Sequence, residues 1–241
     1  MKLLKLLSLS WVGEQGGTLK INKPIIFLGP SLSHDKARKI FEADFRGPAK
    51  KGDLLRLSSI VDDTTIVGLV DALFLQDYPP SPIEVYQLML NKNIILLGAA
   101  SLGALRAVEL EKFGMIGIGK IFELYKKGKL TADDEVAVTF VEGEHHLQSE
   151  AMIDIRFNLF LAYRRGIIND MTKKTIAKIA KRIYFPYRNY TDILEQTEKQ
   201  YPTISDDLKS FRSYIIENRQ SLKERDTIKL IKYAEKRFIQ M

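Results

Sequence analysis

Residues 94–110 read IILLGAASLGALRAVEL. Ile94 to Gly98 is an apolar run of the length of a buried strand. From about Leu102 to Phe113 the apolar positions take helical spacing, and only Ala99, Ala100 and Ser101 stand between the two. A strand, a tight turn and an immediate helix form the junction of a parallel α/β unit. Two further runs repeat the theme. Ile25 to Gly29 (IIFLG) is stopped by Gly29-Pro30, and Ser33 then caps a helix running through Ala43. Thr65 to Val70 (TIVGLV) is followed directly by Asp71. Ser81-Pro82-Ile83-Glu84 has the signature of a helix start, with a serine cap, proline in the first turn and a glutamate to close a capping box.

Other segments are less clear. Asp53 to Ile60 suits a strand or a helix, Gly114 to Gly119 reads as a turn-rich link, and Lys120 to Lys127 reads as a short helix ended by Gly128. Glu135 to Val141 (EVAVTFV) alternates like a strand near a sheet edge. From about Ser149 the spacing is helical, as in Ala151–Tyr163, Thr172–Ile183 and Leu222–Phe238. The expectation is an α/β chain in two parts. Residues 1–148 form an open, mainly parallel sheet flanked by helices, and residues 149–241 form an all-helical, basic lobe packed on it.

The chain has 241 residues and no cysteine, which excludes disulfides, thiolate metal sites and a cysteine nucleophile. Only three histidines are present (His34, His145, His146), so a histidine-rich metal centre is not expected. The chemistry must therefore come from hydroxyls, carboxylates, Lys, Arg or backbone. Residues 1–150 carry net charge −1 and residues 151–241 net charge +8. Such a basic half suits a solvated helical face or an acidic partner. Nucleic acid is not favoured, because no RNA-binding sheet motif or finger pattern is present. The longest apolar stretch, Ile94 to Leu105, is too short to cross a bilayer. The opening MKLLKLLSLSWVGEQGG lacks a small-residue cleavage site and reads as an edge strand or structured arm, which points to the cytoplasm.

Small residues around Ser101 permit the bend that presents a hydroxyl at the carboxyl edge of a sheet, although Ala99 stands where the usual pattern has glycine. The same bend brings backbone N–H groups of a helix start to that edge. Alternatively, the small residues serve close packing and Ser101 is a helix cap. No histidine follows to complete an ordinary triad. Ser31, in the loop after the first strand, and Asp71, after the second, are expected to converge with Ser101, because open parallel sheets place their sites at carboxyl-end loops. Asp71 is a general-base candidate, with loop capping as its structural alternative. Arg106 either points its guanidinium to the same edge or pairs with Glu109. Asp133-Asp134-Glu135 offers carboxylates for Mg²⁺ or, more simply, solvated acids. His145-His146 among Glu142, Glu144 and Glu150 reads as a polar loop. GMIGIG (114–119) lacks the context of a dinucleotide fingerprint, and no Walker motif exists.

Several segments together resemble the TfuA-like family: FLGPSL (27–32), KKGDLLR (50–56), IVGLVDALF (66–74), SPIEV (81–85) and, most specifically, residues 98–138. SEAMIDIR (149–156), KRIYFPYRNYTDIL (181–194) and KERD (223–226) are similar more weakly. Leu102 stands where the family has Met, Ala72 where it has Gly, and Lys51 where it has Arg. The resemblance implies a role beside YcaO proteins, which activate a peptide backbone amide with ATP and exchange its oxygen. The product is then a thioamide on a peptide or protein substrate. It further implies that sulfur comes from the thiocarboxylated C-terminal glycine of a ubiquitin-like sulfur-carrier protein, hydrolysed to sulfide. In that reading Ser101 and Asp71 are catalytic, and Ser31, Arg106, Gly98, Leu102, Gly103 and Asp134 bind the substrate. Neither a cofactor nor a metal is called for. The alternative is a non-catalytic adaptor bridging YcaO, substrate and carrier.

Overall fold

The computed structural model describes residues 23–61, 63–73, 78–141 and 147–241. The opening segment and the His145-His146 loop lie outside the described residues. Five strands form one parallel sheet: β1 (Ile25–Phe27), β2 (Asp44–Arg46), β3 (Thr65–Leu69), β4 (Ile94–Ala99) and β5 (Ile116–Ile118), in the order β2-β1-β3-β4-β5. The fold is α/β, an open all-parallel sheet flanked by helices and followed by a long helical region.

Both faces of the sheet are covered, as the continuous apolar runs require. Alternate residues divide between the faces. Ile25, Phe27, Val67 and Leu69 pack with α2 (Asp53–Ser58), α3 (Pro82–Met89), α4 (Leu102–Leu110) and α5 (Lys120–Lys126). Ile26, Leu28, Ile66 and Leu97 face the other way, onto α1 (His34–Arg38) and onto Leu230, Ile231 and Ala234 of the last helix, α10 (Leu222–Ile239). Between α5 and α10 come α6 (Met152–Arg164), α7 (Asp170–Arg182), α8 (Tyr190–Gln200) and α9 (Ser205–Asn218), which enclose an apolar cluster of their own around Ile155, Ile176 and Phe211. α10 thus brings the end of the chain back to the sheet.

Several local expectations change. Asp53–Ser58 is helical. The expected turn-rich link contains β5, a three-residue edge strand on which the Phe122 ring lies close over Gly117. β2 is equally short, with only Phe45 buried. The strand expected at Glu135 to Val141 is absent from the sheet. Residues 133–135 form a 3₁₀ turn, and Val136, Ala137, Val138 and Phe140 are all buried. That alternating pattern belongs to an irregular segment enclosed on both sides. The capping box also divides. Ser81 accepts from Glu84 N, as expected, but the Glu84 carboxylate turns to α2 and accepts from Gly52 N at 2.8 Å and Leu54 N at 3.2 Å.

Candidate functional site

The order of the strands reverses between β1 and β3, since β1 leads outward to β2 whereas β3, β4 and β5 follow on the other side. In an open parallel sheet the crevice at the carboxyl ends of the strands flanking that reversal is the natural ligand position. Here those ends lead into the Gly29-Pro30-Ser31 loop and into Asp71.

Asp71 is 1% exposed. Its Oδ2 accepts from the backbone N–H of Gly29 at 2.9 Å and of Ser31 at 3.0 Å, and its Oδ1 accepts from the Ser31 hydroxyl at 2.6 Å. One carboxylate thus shapes the loop after β1 and holds the serine hydroxyl against it. Its own backbone is fixed by Asp71 N donating to Phe27 O and by its carbonyl accepting from Ala49 N at 2.9 Å.

A lysine completes this cluster. Lys223 is 3% exposed, and its Nζ lies 4.0 Å from Asp71 Oδ1 and donates to the Val136 carbonyl at 2.9 Å. It sits in the first turn of α10, which Asp154 of α6 anchors. The Asp154 carboxylate accepts from Leu222 N at 2.7 Å, Lys223 N at 3.2 Å and the Ser221 hydroxyl at 2.7 Å. Burial pushes the Lys223 amine below the ordinary lysine range, opposed by the nearby carboxylates of Asp71 and Asp154. The sequence marks Lys223 only as part of the KERD stretch, without a role in the site. A lysine in a helical first turn reads as solvated, and only the return of α10 to the sheet buries it.

The turn after β4 stands beside this cluster, because β3 and β4 pair Leu69 with Gly98 in parallel register. Ala100 has φ 64° and is the sole non-glycine with positive φ among the described residues. Ser101 N donates to Ala99 O at 2.8 Å, so the bend is a γ-turn centred on Ala100. The left-handed position therefore falls one residue before the serine. Ser101 is 2% exposed, caps no N–H of α4 with its side chain, and has no hydroxyl hydrogen bond among the described residues. Two N–H groups of this bend are already engaged, Ser101 N by Ala99 O and Gly103 N by Val70 O at 3.2 Å.

The glycines set how closely α4 approaches the sheet. A Cβ on Gly103 would stand 1.8 Å from Leu69 O, and one on Gly98 would stand 2.2 Å from Gly103 O. Leu102 is buried in the core. Arg106 donates from Nε to Pro80 O at 3.0 Å and pairs with Glu109 at 2.7 Å, and it makes no hydrogen bond or ion pair with Ser101 or Asp71. Asp134 lies in a separate network. It pairs with Lys181 and with the buried Arg188, which also donates to the Asp134, Ala180 and Ile183 carbonyls. Burial raises the Asp134 carboxyl, but the hydrogen bonds from Lys181 and Arg188 outweigh it and hold the group below the usual range. Glu135 is buried and held by Arg156 and Lys181, so Asp134 and Glu135 are neutralised by cations, whereas Asp133 is exposed as a solvated acid.

A family model described as TfuA-like protein matches residues 71–189. The chain belongs to the TfuA-like family. No curated protein matches it. In this TfuA-like chain the matched span begins at Asp71 and includes the Ser101 turn, Arg106, Asp134 and Arg188, whereas Ser31 and Lys223 lie outside it. Membership carries an accessory role of the TfuA type. Among the described residues, no group of three or more His, Asp or Glu is gathered to hold a metal ion, and no helix is long and apolar enough to cross a membrane.

Proposed function

We propose that this TfuA-like protein supplies sulfide to YcaO-dependent backbone thioamidation by hydrolysing the thiocarboxylated tail of a ubiquitin-like sulfur carrier. One contact carries the reading: the Ser31 hydroxyl donates at 2.6 Å to Asp71 at the strand-order reversal. A hydroxyl held by a carboxylate, which backbone N–H groups orient in turn, has the form of an activated nucleophile. Ser31 attacks the acyl carbon while Asp71 takes its hydroxyl proton. The C–S bond breaks as that proton passes to sulfur, which leaves as HS⁻, and water hydrolyses the ester. Ser101 on the adjacent turn anchors the acyl group with its unengaged hydroxyl. Gly98, Leu102 and Gly103 form the wall behind it. Ser31 is 5% exposed, so the acyl carbon arrives on an extended tail with little side-chain bulk, such as a glycine terminus. Arg106 and Asp134 take part in binding only by exchanging the ion pairs they now hold.

Incubation with thiocarboxylated carrier is expected to release sulfide, and the Ser31→Ala variant is expected to release it at least about a hundredfold more slowly. Absence of sulfide from the wild type removes the catalytic reading. The adaptor reading is favoured by a different observation, a shallow groove of about 440 Å³ lined by Arg156, Lys174, Ala177, Lys178, Lys181 and Arg182, which suits an acidic partner. A thioamidation assay with YcaO and free sulfide separates the two. An adaptor still accelerates that reaction, whereas a pure sulfide source becomes dispensable.

A further inference from the structure

We propose that Glu150 and Arg219 form a proton-released clasp on the connector between α9 and α10, closed while the Glu150 carboxyl is ionised and open once it is protonated.

The connector, residues 219–221, is tied residue by residue to α6 and to the turn just before it. Arg219 Nη2 lies 2.6 Å from Glu150 Oε1 and 2.7 Å from Oε2, joining positions 69 apart in the chain. Gln220 is held by one amide: its N–H donates to Asn158 Oδ1 at 2.9 Å, and its carbonyl accepts from Asn158 Nδ2 at 2.8 Å. The Ser221 hydroxyl donates to Asp154 Oδ2 at 2.7 Å. The Gln220 tie carries no charge and the Ser221 tie has a neutral donor. The Arg219 tie alone joins two opposite charges.

The surroundings make the Glu150 carboxylate easy to protonate. Its side chain is 13% exposed, whereas that of Arg219, its ion-pair partner among the described residues, is 49% exposed. A half-hydrated cation compensates a buried anion poorly. From α6, Asp154 faces Glu150 with the same sign of charge. From α8, Tyr190 faces it as a neutral phenol, because burial and the two carboxylates raise it well above the ordinary tyrosine range. The Arg219 guanidinium lies over that ring, 5.7 Å from its centroid. From the turn before α8, Arg188 turns its guanidinium to Asp134 and offers only its carbonyl, which accepts from Glu150 N at 2.7 Å. Burial, opposed by Arg219 and aided by Asp154, pushes the Glu150 carboxyl up to about 7.

The sign of the response follows from what moves. Glu150 is fixed by its N–H to Arg188 O and precedes the buried Ala151, so it stays enclosed when Arg219 leaves. Ionisation then favours the closed clasp, and the connector is held more firmly above neutrality than below it. Global stability runs the other way. The folded chain holds this proton more tightly than the unfolded chain, so the contribution of Glu150 falls as pH rises from the ordinary glutamate range to about 7 and is constant above it.

The test is backbone hydrogen exchange of residues 218–222 at about pH 6 and about pH 8, corrected for the intrinsic pH dependence of exchange. Protection of this segment in the wild type is expected to rise about tenfold between the two. Glu150→Gln keeps the shape without the charge, and it is expected to match the wild type at the lower pH and to show no rise. Arg219→Met changes a half-exposed side chain, is expected to give the same flat profile, and is the second measurement if Glu150→Gln does not fold. Urea unfolding over the same range is expected to show the wild type losing stability relative to Glu150→Gln as pH rises. Wild-type protection that is flat or falls with pH, or a rise that either variant retains, overturns the clasp. A change shared equally by the amides of β3 reports general loosening and overturns it as well. None of these readouts depends on the hydrolytic reading.

Discussion

Replacing Asp71 with alanine is expected to abolish sulfide release and to lower the unfolding free energy by about 3–5 kcal/mol. The substitution leaves Gly29 N, Ser31 N and the Ser31 hydroxyl without their acceptor and leaves Lys223 buried without its nearest counter-charge. Each orphaned donor costs about 1–3 kcal/mol, and the terms do not add fully, because the loop after β1 relaxes once it is released. Asp71→Asn keeps one acceptor oxygen for the backbone donors but turns an amide N–H₂ toward Ser31 or Lys223. Its expected stability loss is smaller, with activity equally gone. Urea unfolding of both variants beside a sulfide assay checks this. An Asp71→Ala protein as stable as the wild type would show that the carboxylate does not organise the loop.

Gly103→Ala is expected to eliminate the soluble folded protein. The added Cβ would lie 1.8 Å from Leu69 O and 2.6 Å from Leu69 C, which are backbone atoms of β3. β3 pairs with β1 on one side and β4 on the other, so it cannot retreat without breaking a ladder. Ordinary overpacking costs about 1–3 kcal/mol when side chains can shift, and a clash with a central strand exceeds that. Against a total stability of about 5–15 kcal/mol, the loss is decisive. Gly47→Ala is the control, since a Cβ there meets nothing within 4 Å, and it is expected to stay within about 0.5 kcal/mol of the wild type. A Gly103→Ala protein that melts alongside the control would refute the close approach of α4 to the sheet.

The sequence shows the fold most clearly where a local signal matches the tertiary demand. Ile25–Phe27, Thr65–Leu69 and, within Ile94–Ala99, residues 96–99 are buried on both faces, and their apolar runs say so directly. Ser81 and Pro82 mark the start of α3 for local backbone reasons that hold in any fold. β2 and β5 were not legible, because three residues carry no periodicity and their pairing partners are distant in sequence. EVAVTFV misleads because alternation reports burial, and here the burial is of an irregular segment.

The site was legible in part for the same reason. Ser31 and Asp71 both follow buried strands, and the structure brings them into contact. Lys223 stands in the sequence only as the first residue of the KERD stretch. Its burial was not legible, since Val136 and Asp71, which it meets, are far away in the chain and only the path of α10 joins them. The placement of the γ-turn was hidden as well. Ala99, Ala100 and Ser101 are all small, and nothing in composition says which takes positive φ; the structure gives it to Ala100. Asp134 and Glu135 looked solvated, as the exposed Asp133 is, because the cations that hold them, Arg156, Lys181 and Arg188, come from later helices and loops.

The most direct test is to find where the carrier's acyl group goes. Wild-type protein is mixed with thiocarboxylated carrier, quenched in acid during turnover, digested and mapped by mass spectrometry. The expected result is the carrier tail esterified to Ser31, with no such adduct in Ser31→Ala. An adduct on Ser101, or undiminished sulfide release by Ser31→Ala, would contradict the assignment of the reactive centre to the Ser31–Asp71 pair.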